Sequence, residues 1–455
     1  MRQKIIFFII IFFVLFSSIA YFRYFRQAGD KQSVNKPNIL LVTVCSLRQD
    51  HLGCYGYQRN TSPNIDNLAK TATIFKNSYT HIPWTKPGTI ALLTGRYPSP
   101  EVKVENNIAL PSLLHSKGYF TCGIIGTNIV RDGANADIGF DIFLDHRNLT
   151  TSKDYNTVQA DTIVDRALEI LNNIKPGKQP VFLWLFFKDP HWPYLPPFSY
   201  REKFVNDLLY EREHQELNIS AVRSNSIGGI GEARLMGKDG AFITDKAYYI
   251  AQYDSEILYM DSQFGRVVEY LKQKSNYEDW VVIVSSDHGE SMTEDNCFFD
   301  HGYKLTEGLV RIPLIVKFPR QSKGDVVKRL GSICDVYSTI LSLAGIYKDR
   351  QKDKSSAVRW HSDRVIMLEN NPGIEIGNTK LFGLVWRSYK LIYDFTTNEK
   401  MLYDVSGGEA RIKEPERSHK AKIDKMSKLI NAFIYQADKE YFPGREELRS
   451  LGYLQ

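Results

Sequence analysis

The chain has 455 residues, 43% of them hydrophobic and 13% aromatic, with a formal net charge of +6. That is enough apolar material for a large core, and it suits one big α/β domain with an appendage better than many small units. Basic residues are scattered except near the two ends, so nucleic-acid binding is not expected. Five cysteines without close pairs give neither a disulfide framework nor a CxxC metal knot.

Ile5 to Phe22 is apolar apart from Ser17 and Ser18, about the length that crosses a bilayer core. Arg2 and Lys4 precede it, and Arg23, Arg26 and Lys31 follow. Its length and the aromatic flank Tyr21, Phe22 and Tyr24 are those of an uncleaved single-pass anchor with the bulk of the chain outside the cytoplasm. The rival is a signal peptide cut near Ser18-Ile19-Ala20. Residues 23–36 read as a linker, 37–346 as the α/β domain, and 347–455 as a further linker and a C-terminal α+β subdomain.

Asn38–Val44 is a buried strand followed by Cys45, Ser46, Leu47 and Arg48. Ile65–Ala72 starts a helix. Trp84-Thr85-Lys86-Pro87-Gly88-Thr89 then runs into the helical Ile90–Thr94, which places a hydroxyl beside unpaired helix N–H groups. Leu110–Lys117 reads as a helix, Tyr119–Ile125 as a strand and Asp161–Ile174 as a helix. Val181–Phe187 is a strand ending in Lys188-Asp189-Pro190-His191. Glu211–Lys238 reads as an irregular excursion, and Ala247–Lys272 as a long amphipathic helix. Two apolar runs, Trp280–Val284 and Ile312–Phe318, read as strands that bracket a polar loop, and Asp335–Ala344 reads as a helix. Val365–Glu369, Leu381–Trp386, Tyr389–Asp394 and Lys400–Tyr403 look like a small antiparallel sheet packed on the helix Ile423–Tyr435. Alternating β and α elements before a β-rich tail imply a mainly parallel sheet with a C-terminal subdomain.

Three strands therefore end in polar tips, where ligands gather in open α/β sheets. Asp287 and His288 offer a carboxylate and an imidazole to one metal, with Gly289 expected to turn the backbone beside them. Thr85 offers a hydroxyl, His191 and His301 proton transfer or anion contacts, and Lys188 and Lys304 positive charge. Such a set suits attack on a sulfate or phosphate ester. It requires Thr85 to face Asp287 and His288 across one cation-sized gap.

The stretches NILLVTVCSLRQDHLGCYGYQRNTSPNIDNLA, PWTKPGTIALLTGRYPS, FKDPHWPYLPP, YDSEILYMDSQFGRVVEYL, VIVSSDHGES, DHGYKLTEGLVRIPLIVKFP and DVYSTILSLAGI are familiar in this order. The chain resembles the sulfatase family of the alkaline-phosphatase superfamily from about Asn38 to Ile346. The resemblance implies a mixed, mostly parallel sheet flanked by helices, a small C-terminal antiparallel sheet with a helix, and one divalent metal, calcium by resemblance. It sets Asp287 and His288 at the family's metal pair and Thr85 where the formylglycine precursor stands. It sets His191 in the substrate-histidine loop, and His301 and Lys304 near the last substrate-contacting residues.

The departures are specific. Cys45-Ser46 stands where the family often has Asp-Asp; a thiolate is a poor ligand for calcium and would suit zinc. Thr85 cannot become formylglycine, and Gly88-Thr89 replaces the usual Ser-Arg. Three readings stay open: a sulfatase-like hydrolase of anionic glycan or lipid esters, a phosphotransferase using Thr85 as nucleophile, and an inactive binding protein of the same fold.

Overall fold

The computed structural model describes residues 36–98, 104–150, 158–174, 179–346, 364–370, 380–413 and 418–438. The expected anchor Ile5–Phe22 and residues 23–35 of its linker lie outside them, as does the charged stretch Tyr347–Ser356. No helix among the described residues is long and apolar enough to cross a membrane.

The main sheet is built from β1 (Ile39–Val44), β2 (Thr73–Tyr79), β3 (Phe120–Ile125), β4 (Ile142–Leu144), β5 (Val181–Phe187), β6 (Val281–Ser286), β7 (Arg311–Ile312), β8 (Leu314–Lys317) and β9 (Asp325–Ser332). Its order is β4-β3-β5-β1-β6-β8-β2-β7, with β9 paired to β2. The β4-β3-β5-β1-β6 block is parallel, and β8 joins β6 antiparallel. A mixed, mostly parallel sheet is therefore what forms.

β1, β5 and β6 are buried along their whole lengths, as strands covered on both faces must be. The strand period of two splits them between two cores. Leu40, Val42 and Val44 join one, and Ile39 and Leu41 the other. Each fully buried aliphatic side chain contributes roughly 1.5–3 kcal/mol of transfer free energy. The helices α1 (Pro63–Ala69), α3 (Ala160–Asn173) and α4 (Lys246–Lys274) cover the first face; α2 (Thr85–Thr94) and α5 (Cys334–Leu343) cover the second.

Register decides where the tips fall. Val44 is level with Phe187 on one side and Ser286 on the other. The next residues of the three strands, Cys45, Lys188 and Asp287, therefore leave the sheet in one row.

The observed elements differ from the sequence reading in three places. The run Ile312–Phe318 is not one strand: Pro313 has no N–H for the ladder, and pairing breaks there into β7 and β8. β2 and β9 were not legible as strands, because Lys76 and Asn77 interrupt the apolar pattern of one and the first half of the other is mostly exposed. The long excursion also begins with a short helix, Leu208–Glu213, before its irregular part.

The second sheet contains β10 (Val365–Glu369), β11 (Leu381–Trp386), β12 (Tyr389–Asp394), β13 (Glu399–Asp404) and β14 (Ala410–Arg411), all antiparallel. One face packs Ile366, Leu368, Val385 and Ile392 against Tyr79, Leu305 and Leu309 of the main body. The other is covered by Ile423, Met426 and Ile430 of α6 (Lys420–Asp438).

Candidate active site

The first tip begins where β1 ends. The Cys45 N–H donates to Phe187 O at 2.9 Å, continuing the ladder. Ser46 then adopts a left-handed backbone, with φ of 58°, which costs a non-glycine residue roughly 1–2 kcal/mol. That turn aims its N–H at Asp287 Oδ1, 3.2 Å away. Tyr253 of α4 clamps it: its hydroxyl donates to Ser46 O at 2.7 Å and accepts from Arg48 N at 2.9 Å.

The second tip follows β6. Asp287 Oδ1 also accepts from His288 N at 2.9 Å. The other oxygen, Oδ2, is thereby directed at Cys45 Sγ and His288 Nε2, both 3.5 Å away. His288 Nδ1 lies 2.7 Å from Gly289 O. A carbonyl only accepts, so Nδ1 carries the proton and the Nε2 lone pair faces the site. Gly289 is not a turn residue, contrary to expectation. A Cβ there would stand 1.8 Å from Gly308 O, so glycine is required by close passage of two backbones.

Thr85 heads α2. Its Oγ1 is 3.2 Å from His288 Nε2 and 3.6 Å from Cys45 Sγ. Gly88, one turn on, lets the helix settle against this loop, since a Cβ would meet Asp287 O at 2.7 Å. Cys45, Thr85, Asp287 and His288 are all buried. Thr85 thus lies beside His288 and Cys45, each of which is 3.5 Å from Asp287 Oδ2.

The third tip follows β5. Lys188 is buried, and its charge bears on Cys45, His191 and His301. His191 Nδ1 lies 2.7 Å from Trp192 O, which fixes its ring. α4 reaches this loop as well, where Glu256 Oε1 accepts from Leu195 N at 2.7 Å. The His301 ring lies 4.2 Å from that of His288, 5.1 Å from His191 and 5.0 Å from Trp84. Among the described residues no hydrogen bond joins Lys304 to this cluster, and its charge bears on Cys297.

The sulfatase family model matches residues 37–346. The chain belongs to the sulfatase family. It is 26% identical to the "Uncharacterized sulfatase YidJ" of Escherichia coli K12, covering 92% of this chain and 90% of that one. It is 23% identical to an arylsulfatase of Clostridium perfringens, over 91% of this chain and 98% of the other. A protein solved in complex with its substrate D-glucosamine-2-N,6-O-disulfate superposes with a TM-score of 0.67 at 17% identity, covering 89% and 99% of the two chains. As a member of the sulfatases, the protein is classed with the sulfuric ester hydrolases.

A sulfatase implies a divalent cation, and three donors here fit one. Cys45, Asp287 and His288 each point a ligand atom inward, and these atoms lie within 4.8 Å of one another. Asp287 Oδ1 and His288 Nδ1 are tied to backbone groups, which is how outer hydrogen bonds orient metal ligands. Without a cation, burial and the Asp287 charge hold the Cys45 thiol well above its ordinary pKa. Burial likewise lowers His288, His301 and, furthest, His191, which keeps the imidazoles neutral.

Several residues that build this site are not among the candidates the sequence singles out, although Ser286 and Glu290 fall within the stretch VIVSSDHGES. Glu290 lies 3.0 Å from His301 Nδ1 through Oε1. Tyr253 and Glu256 pin two tips from one helix. Ser286 Oγ donates to Val44 O at 2.7 Å and accepts from Leu47 N at 3.1 Å, stitching β6 to the first tip. The only signal for the α4 residues was the family-like stretch YDSEILYMDSQFGRVVEYL.

Proposed function

We propose that the protein hydrolyses sulfate esters of anionic glycans or lipids, outside the cytoplasm, anchored through Ile5–Phe22, with Thr85 as the attacking group. The observation that carries this is the 3.2 Å approach of Thr85 Oγ1 to His288 Nε2, inside a buried ring closed by Cys45 and Asp287. Glycan sulfatases among the relatives, including an endo-4-O-sulfatase and an N-acetylglucosamine-6-O-sulfatase of Bacteroides thetaiotaomicron, support the substrate class.

The chemistry follows from the residues. Lys188 lies beside the ring and offsets the negative charge of an entering sulfate. Thr85 Oγ1 loses its proton to solvent and forms a bond to sulfur as the bond from sulfur to the substrate oxygen breaks. The departing oxygen takes a proton from Nε2 of His301, whose ring packs 5.1 Å from that of His191. Water then cleaves the threonine ester and releases sulfate. A divalent cation held by Cys45, Asp287 and His288 would supply charge neutralisation for the ester oxygens and a lower pKa for a hydroxyl bound to it.

The test is turnover of an aryl sulfate by the full chain and by Thr85→Val. Loss of turnover in the variant, with its melting temperature kept, is the expected result. Equal turnover by both proteins rules Thr85 out. One observation favours a second reading, phosphoryl transfer: the group at the nucleophile position is a plain threonine hydroxyl, which forms a stable phosphoester. Phosphate on Thr85, found by mass spectrometry after incubation with a phosphate monoester, would select that reading.

A further inference from the structure

The fold family implies an oxygen-bound cation, and the donors of this chain do not match it. Calcium takes six to eight oxygen ligands and magnesium an octahedral set. Here the inward groups are one sulfur, one imidazole nitrogen and two oxygens, those of Asp287 Oδ2 and Thr85. The other Asp287 oxygen is already engaged by two backbone N–H groups. Ser46, which stands where the family often has a second carboxylate, is neutral, with its hydroxyl 4.0 Å from Cys45 Sγ.

The spacing of these donors is informative. Around a tetrahedral zinc, ligand distances of about 2.0–2.3 Å place neighbouring donors about 3.3–3.7 Å apart. The observed separations are 3.5 Å from Cys45 Sγ to Asp287 Oδ2 and 3.6 Å from Cys45 Sγ to Thr85 Oγ1. They are 3.5 Å from Asp287 Oδ2 to His288 Nε2 and 3.2 Å from His288 Nε2 to Thr85 Oγ1. Three of these four edges fall in that range and the fourth falls just short of it, and a sulfur-nitrogen-oxygen set is what a borderline-soft ion prefers.

The geometry points to a zinc-class cation held by Cys45, Asp287 and His288, with the Thr85 oxygen at the fourth corner, in place of the oxygen-seeking ion of the family. This rests on the reading of the cluster as a cation site in an ester-cleaving enzyme. It makes Cys45 a thiolate ligand, so that loading the ion releases the thiol proton to solvent. It also leaves Thr85 in the position where catalytic zinc sites keep their exchangeable oxygen.

The test uses the full chain, stripped with a chelator and loaded separately with Zn²⁺, Ca²⁺ or Co²⁺. About one zinc per chain should survive gel filtration, and calcium should not. The cobalt-loaded protein should show a near-ultraviolet thiolate-to-cobalt band. Cys45→Ser should lose that band and weaken zinc binding by more than the roughly 10–100-fold cost of an outer-shell change. Cys45→Asp should reverse the order, retaining calcium over zinc. Stoichiometric calcium with no zinc in the wild-type protein overturns the inference, as does a cobalt band that survives Cys45→Ser. Should Cys45→Ser fail to fold, the wild-type measurements decide alone, since absence of the cobalt band there is equally fatal. Retained calcium with intact ester turnover defeats this inference and spares the functional proposal; zinc bound as expected with no turnover does the reverse.

Discussion

His301 Nδ1 stands 3.0 Å from Glu290 Oε1, with both side chains buried. Burial raises the Glu290 carboxyl to about 8 and lowers the imidazole, so the two compete for one proton. When His301 passes a proton from Nε2 to a departing oxygen, the remaining proton can sit on Nδ1 facing a carboxylate.

Glu290→Gln removes that partner while keeping its shape. A glutamine amide cannot exchange the proton, so general-acid help is lost, worth about 10²–10⁴-fold in kcat. The loss should grow as the leaving group becomes more basic, a trend that a merely structural defect would not produce. A rate profile over aryl sulfates of graded leaving-group pKa checks this, and a uniform loss would count against the proton-transfer role.

Asp287→Asn separates support from charge. The asparagine carbonyl can still accept from Ser46 N and His288 N, so the tip should keep its shape. The charge at Oδ2 disappears, and turnover should fall by about 10²–10³-fold or more. Steady-state kinetics alongside thermal unfolding distinguish the two effects. A variant that loses melting temperature and activity together would show that the carboxylate is mainly scaffolding.

Gly289→Ala places a methyl 1.8 Å from Gly308 O, and a backbone oxygen cannot rotate away. Overpacking of this kind costs about 1–3 kcal/mol, occasionally more. Urea unfolding should show the lower midpoint. An unchanged midpoint would mean that the 289 and 308 backbones separate easily.

His81 makes the junction of the two sheets pH-dependent. Its Nδ1 bonds Met367 O and its Nε2 accepts from Ser332 Oγ, each at 2.7 Å. Burial lowers its pKa from 6.5 to about 4. The unfolded chain therefore binds a proton more readily, so this contribution is complete above pH 6.5 and drains away as pH falls towards 4. The loss amounts to about 3 kcal/mol, at about 1.4 kcal/mol per unit. His81→Gln should flatten the unfolding free energy over that interval; an unaltered slope would place the acid sensitivity elsewhere.

Much of this molecule could be read along the chain. The runs at Ile39, Val181 and Val281 are apolar at every position but Thr43, a pattern that strands covered on both faces require, and each leads into polar residues. β9 was hidden for the opposite reason: it lies at the sheet's margin, and its Asp325 and Lys328 face solvent. Pro313 shows the limit of reading apolar runs, since one residue without an N–H divides what looked continuous.

What sequence by itself determined was the set of strand tips and the chemical kinds of group they carry: a thiol, a hydroxyl, a carboxylate, imidazoles and an ammonium. What only tertiary structure decided was which of them meet. Parallel register brings Cys45, Lys188 and Asp287 level, Gly88 lets α2 press close to Asp287, and Glu290 gains its place in the site by touching His301. None of these meetings is visible along the chain. The reason is distance along the chain: Cys45 and Asp287 are separated by 242 residues yet lie 3.5 Å apart. Local pattern is set by the backbone and its nearest neighbours, whereas such a contact is set by sheet order and packing.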